Sequence, residues 1–105
     1  MIDFVKYSVP MLYSRNKSLA YRESIVESSV ALLGFLKREG LILKDPFDEQ
    51  GMLKMDFELR LSELSPEGVE MFKKIVPSWL LKNDRSGIHS DTSYLEKSLL
   101  KLRAG

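Results

Sequence analysis

The sequence predicts a small α+β domain, and three observations carry that prediction. Residues 53–62 alternate apolar and polar side chains without a break, the period of a strand with one buried and one wet face. Residues 18–39 repeat apolar side chains at helical spacing and end on Lys-Arg-Glu-Gly. Downstream, Ser65-Pro66-Glu67 and the pair Ser93 with Glu96 are both helix-start signatures. At 105 residues, 44% hydrophobic and 30% charged, the chain has the size and balance of one folded domain spanning 1–105, and neither a disordered segment nor a repeat array is expected.

Residues 2–7 are apolar and strand-favouring, but Pro10 interrupts them, so the first segment reads as a strand or one helical turn. The long helix follows from Ser18 to about Glu39. Ile25, Ser29, Leu32, Leu33 and Leu36 fall on one stripe, while Arg22, Glu23, Glu27, Lys37 and Arg38 stay wet, and Gly40 stands where a left-handed helix cap belongs. Next come Leu41-Ile42-Leu43, a turn-rich loop from Asp45 to Gly51, and the alternating run in which Leu53, Met55, Phe57, Leu59 and Leu61 share one face. The two runs flanking the loop are expected to form a β-hairpin. Ser65 then caps a helix with Pro66 in its first position, and Val69, Phe72, Ile75, Val76, Trp79 and Leu80 continue an apolar stripe. Pro77 lies inside that stripe and either kinks the helix or starts a second one. After a polar break at residues 83–87, Ser93 and Glu96 open a last helix with Leu95, Leu99 and Leu102 inside and Lys97, Lys101 and Arg103 toward its carboxyl end.

Composition excludes several function classes. No cysteine is present, so disulfides, thiolate zinc sites and cysteine nucleophiles are out, in keeping with a reducing, cytoplasmic location. One histidine, His89, leaves little metal or His-base chemistry; with Asp91 it could form a base and its orienter, but no nucleophile or third ligand is spaced nearby and an exposed loop histidine is expected. The glycines follow neither a dinucleotide nor a phosphate-loop spacing. No catalytic residue, metal or cofactor is therefore expected, and the chain reads as a non-enzyme. The first residues lack the basic-then-apolar layout of a secretory signal. The longest uncharged apolar stretch, about residues 28–36, is far short of the roughly 20 residues that span a bilayer, so no membrane association is expected.

Charge is distributed in blocks although the net value is only +1. Residues 1–44 carry +3 and residues 71–105 carry +4, whereas residues 45–70 carry −6. The acids of this middle block are Asp45, Asp48, Glu49, Asp56, Glu58, Glu63, Glu67 and Glu70. Such a block is either a solvated surface or an electrostatic footprint for a basic protein partner. Phe47 lies at the expected hairpin tip among Pro46, Asp48 and Glu49, positioned either to contact a partner or to fold back. Trp79 and the methionines at 52, 55 and 71 read as core packing.

The helix ending in Leu36-Lys37-Arg38-Glu39-Gly40-Leu41-Ile42, the expected hairpin, and Leu61-Ser62-Glu63-Leu64-Ser65-Pro66-Glu67-Gly68 together resemble the second half of a winged-helix domain over about residues 18–76. That resemblance implies a β-wing between two helices. In a DNA-binding member the wing and recognition helix are basic, whereas here the wing is acidic and residues 18–40 carry no obvious turn between two helices.

The segments Trp79-Leu80-Leu81, Asn83-Asp84-Arg85 and Ser90-Asp91-Thr92-Ser93-Tyr94-Leu95-Glu96-Lys97 are similar to small bacterial proteins encoded beside secreted polymorphic toxins, including immunity proteins of contact-dependent inhibition systems. This resemblance implies a cytoplasmic, non-catalytic protein that covers the active site of one cognate toxin domain. Many such toxins are basic nucleases, which an acidic surface suits. The expected partner-binding residues are Asp45, Phe47, Asp48, Glu49, Asp56, Glu58 and Glu63. The alternative is a winged-helix transcriptional regulator that reads DNA with residues 28–44 and sets Arg15, Lys17, Lys37, Arg38 and Lys44 on phosphates. A subunit of a larger assembly would instead expose an apolar patch at Trp79 or the last helix. Oligomeric state is left open.

Overall fold

Helix α2 (Leu19–Arg38) is the longest element of the fold and carries six buried residues. The computed structural model describes residues 6–15 and 17–104, with only the backbone given for Lys6 and Leu61; the reading for residues 2–5 lies outside the described residues. Within α2, Ser28, Ser29, Leu32, Leu33, Phe35 and Leu36 are buried, as the helical stripe requires, and no break divides the helix. Its end is a Schellman cap. The Gly40 N–H donates to the Lys37 carbonyl (3.1 Å) and the Leu41 N–H reaches back to the Leu36 carbonyl (2.8 Å), with Gly40 at φ +71°. Leu36 and Leu41, both buried, pack as the apolar pair of that motif.

The first segment proves to be both of its alternatives in turn: a strand, β1 (Lys6–Ser8), then a short helix, α1 (Val9–Ser14), with Pro10 in its first turn and the Ser8 hydroxyl accepting the Met11 N–H. β1 pairs antiparallel with β2 (Glu58–Arg60), Tyr7 opposite Leu59. This corrects the expected hairpin. The alternating run is interrupted where the Phe57 N–H donates to the Lys54 carbonyl (3.0 Å), and only its second half is strand. Phe57 and Leu59 are buried there, and the edge that residues 41–43 were to fill is occupied by β1. Residues 41–43 instead meet residues 63–65. The Leu43 N–H donates to the Glu63 carbonyl (2.8 Å) and the Ser65 N–H to the Leu41 carbonyl (2.9 Å), around an Ile42–Leu64 bridge. Alternation specifies a face and not a partner, so a strand from the amino-terminal segment could take the place.

After a 3₁₀ turn at Leu61–Glu63, helix α3 (Pro66–Lys74) starts as its sequence predicts, the Ser65 hydroxyl accepting the Gly68 N–H at 3.1 Å. Pro77 separates two helices: α3 ends before Ile75, and Pro77 lies in the first turn of α4 (Val76–Ser86), where its missing N–H costs no helical bond. α4 ends on Gly87 at φ +75°. Trp79, on the buried side of α4, is only 1% exposed and donates from Nε1 to the Asp91 carbonyl at 2.7 Å, so no exposed apolar patch centres on it. α5 (Ser93–Ala104) buries Leu95 and Leu99, whereas Leu102, expected on the same inner face, is exposed. Its cap lies one residue earlier than expected: the Thr92 carbonyl accepts the Glu96 N–H (2.9 Å), the Thr92 hydroxyl bonds the Glu96 carboxylate (3.1 Å), and Asp91 accepts the Ser93 N–H (2.9 Å). The architecture is thus α+β, helices packed with a two-stranded antiparallel sheet.

Candidate functional site

The acidic loop takes its shape from its own carboxylates. Both Asp45 oxygens lie 3.2 Å from Lys37 Nζ on α2, and Oδ1 also accepts the Phe47 N–H at 3.0 Å. The Phe47 N–H first, then Lys37, hold the Asp45 carboxyl below the usual carboxylate range. Asp48 Oδ1 accepts the N–H groups of Gln50 (2.9 Å) and Met52 (3.0 Å), while its own N–H donates to the Met52 carbonyl (2.8 Å). Gly51, at φ +80°, supplies the left-handed residue this turn needs. A Phe47–Leu53 bridge and a bond from the Lys54 N–H to the Pro46 carbonyl (2.9 Å) close the loop.

Phe47 folds back rather than projecting. It is half-buried, with Lys37 Nζ 5.7 Å from its ring centroid and its ring edge 3.8 Å from where a Cβ on Gly34 of α2 would stand. Asp45, Phe47, Asp48 and Glu49 are brought together, with Lys54, around an open depression of about 400 Å³. The other three candidate residues lie outside it. Asp56 is exposed and forms no hydrogen bond or ion pair among the described residues. Glu58 and Glu63 are bound into the fold. The Ser8 hydroxyl donates to Glu58 (3.0 Å), Glu63 accepts the Arg60 N–H (2.9 Å), and Lys44 Nζ sits 2.9 Å from the Glu58 carbonyl and 3.4 Å from Glu63. Of the remaining acids, Glu67 pairs with Arg103 and Glu70 with Lys74.

The sequence reading missed the apolar part of this surface. Leu43 is 74% exposed, Met52 66% and Met55 43%, so the packing role expected of Met52 and Met55 is corrected, whereas Met71 is buried as expected. The signal was present: Met52 follows directly on the Asp48–Gly51 turn, and a side chain inside a tight turn has no strand face to bury it.

The cations of the DNA reading are largely engaged. Lys37 pairs with Asp45, Lys44 with Glu63, and Arg38 lies 3.9 Å from Glu39 and 3.8 Å from Glu96; Arg15 and Lys17 are exposed. His89 is half-buried and shares no hydrogen bond with Asp91, whose carboxylate is held by Ser93. Among the described residues no group of three or more histidines and acids could hold a metal ion, and no helix is long and apolar enough to cross a membrane. Compared with known proteins, the chain matches no family model, no curated protein and no solved structure.

Proposed function

We propose that this chain is a non-enzymatic protein-binding module, an immunity protein that binds and neutralises a cognate toxin domain of the basic, nuclease kind through the surface of residues 43–56. The observation that carries this reading is the composition of that surface. Leu43, Met52 and Met55 are exposed on the same segment as Asp48, Glu49 and Asp56, and those acids form no ion pair among the described residues. Apolar side chains set among uncompensated acids are what a partner with a basic rim and an apolar centre would bury. Such a role belongs in the cytoplasm, where the toxin would act, and needs no cofactor.

We read the architecture as winged-helix-like on the order of α2, the antiparallel contact of residues 41–43 with 63–65, and α3, the loop of residues 44–57 standing where a wing would. The regulator alternative draws less support. Its recognition segment, residues 28–44, is the second half of a single helix plus the connection after it, and Lys37 on the helix and Lys44 in the connection already face Asp45 and Glu63.

The test is a pull-down from native lysate with the tagged full chain, run beside a chain carrying Glu49→Lys and Asp56→Lys, with mass spectrometry of protein and sequencing of any nucleic acid. A single stoichiometric basic protein, lost with the reversed charges, is the expected result. Discrete DNA fragments with no protein would sink the reading.

A further inference from the structure

An outer line of α2 is open to solvent and runs into the acidic loop. Leu19, Glu23, Glu27 and Val30 follow one another at spacings of three or four residues, which sets them one above the other on the helix surface. All four are exposed, Leu19 by 72% and Val30 by 42%. One turn beyond Val30 stands Gly34, and the Phe47 ring edge lies 3.8 Å from where its Cβ would be. The line from Leu19 to Gly34 is about 22 Å long at the rise of an α-helix, and it ends against the loop of Asp48, Glu49 and Met52.

The charge of this line is the opposite of what its sequence block suggests. Residues 1–44 sum to +3, yet Glu23 and Glu27 form no hydrogen bond or ion pair among the described residues. The cations nearest to them along the helix are engaged elsewhere: the Arg22 guanidinium lies 4.8 Å from the Tyr13 ring centroid, and Lys37 is held by Asp45. The outer face of α2 therefore repeats the composition of the loop, exposed apolar side chains beside uncompensated acids. Size points the same way. A stable complex buries about 800 Å² and about 20–30 residues on each side, more than residues 43–56 hold, and the α2 line is exposed surface that adjoins them.

Resting on the role given to the loop, we infer that the partner's contact continues along α2 and that a basic amphipathic helix of the same partner occupies this face. Its apolar side chains lie on Leu19 and Val30, and its lysines or arginines meet Glu23 and Glu27. A helix suits the face and a strand does not, because the backbone groups of α2 are spent within the helix and offer no edge for strand addition, whereas helix ridges settle into helix grooves. A second copy of this chain is the poorer occupant, since an isologous pairing sets Glu23 and Glu27 of both copies against one another.

The test is site-specific photo-crosslinking. A benzoylphenylalanine replaces Val30 in one version of the tagged full chain, Leu19 in a second and Met52 in a third; all three positions are exposed, so the fold is expected to be kept. Each is irradiated in native lysate, and the linked peptides are sequenced by mass spectrometry. The expected result is one protein linked from all three positions, the peptide at Val30 and Leu19 carrying lysine or arginine beside apolar residues at helical spacing. Glu23→Lys with Glu27→Lys is expected to lower the yield at Val30 at least about fivefold while leaving the unfolding midpoint within about 2–4 °C. Links from Met52 but from neither α2 position would overturn this inference and leave the loop reading standing. Links from α2 but not from Met52 would support the α2 site and overturn the loop reading, and no link from any position would overturn both. A Val30 link to a second copy of this chain, to a peptide without basic residues, or one that the double reversal does not weaken would also overturn the inference.

Discussion

Arg103 holds Glu67 through two parallel hydrogen bonds, Nε to Oε2 at 3.1 Å and Nη2 to Oε1 at 3.2 Å. The same guanidinium donates to the Glu39 carboxylate (3.0 Å) and carbonyl (3.2 Å), so the last turn of α5 is tied to the end of α2 and the start of α3. Glu67 and then Glu39 push the Arg103 pKa further up, keeping the clamp charged at every working pH. Lysine keeps that charge but cannot present two parallel donors. Arg103→Lys is therefore expected to speed amide exchange in the last two turns of α5 several-fold while barely moving the midpoint of global unfolding. Unchanged exchange there would show that Leu95 and Leu99 alone hold the helix down.

Gly68 is required by a close approach rather than by its backbone angles. A Cβ at this position would stand 2.5 Å from the Leu41 carbonyl oxygen, which cannot retreat because it accepts the Ser65 N–H at 2.9 Å. Gly68→Ala is expected to cost about 1–3 kcal/mol, the usual penalty of overpacking. Denaturant unfolding measures it, and a chain as stable as the parent would mean that the contact between residues 41–43 and 63–65 is loose.

Tyr7 joins the sheet to α2. Its hydroxyl is 2.8 Å from Ser29 Oγ in the buried interior, and burial pushes its pKa above the ordinary 10.0 against the opposing hydrogen bond from Ser29. The folded state thus favours the neutral phenol. Its contribution to stability is fully present below about pH 10, where the unfolded chain titrates, and is lost as pH rises toward the folded value. Tyr7→Phe is expected to cost about 1–3 kcal/mol at neutral pH, since Ser29 loses its partner. The same change should flatten the alkaline fall in stability, and an alkaline limb of unchanged steepness would remove Tyr7 as its source.

What was legible in the sequence was local. The Schellman end at Gly40, the Ser65 cap and the burial of Trp79 each depend on residues a turn or two apart, and each stands as read. What was not legible was long-range. The strand at Glu58–Arg60 found its partner some 50 residues earlier in the chain, and no pattern in residues 53–62 names Tyr7 as the neighbour of Leu59. The candidate site followed the same division. A run of acids showed that residues 45–63 are charged, but which of them are free is decided by Lys37, Lys44 and Ser8, which come from other elements. Glu58 and Glu63 are therefore parts of the fold, and Glu49 and Asp56 are the ones left facing outward.

That division separates an interface effect from a folding effect. Glu63 accepts the Arg60 N–H and faces Lys44, so Glu63→Lys is expected to lower the unfolding midpoint by placing a second cation against Lys44. Glu49 and Asp56 make no contact of this kind among the described residues, and reversing both should leave the midpoint within about 2–4 °C, as for surface positions generally. If the loop meets a basic partner, the same double reversal slows association, more at low salt than at physiological salt, because the lost term is long-range attraction screened over about 8–10 Å. Dissociation should change less. Leu43→Ala with Met52→Ala is expected to do the opposite, speeding dissociation with little effect on the association rate, because those side chains act only once buried. Stopped-flow association at two salt concentrations and surface-captured dissociation separate the two. Charge reversals that leave association untouched at low salt would mean that the acidic block is ordinary solvated surface and that the partner binds elsewhere.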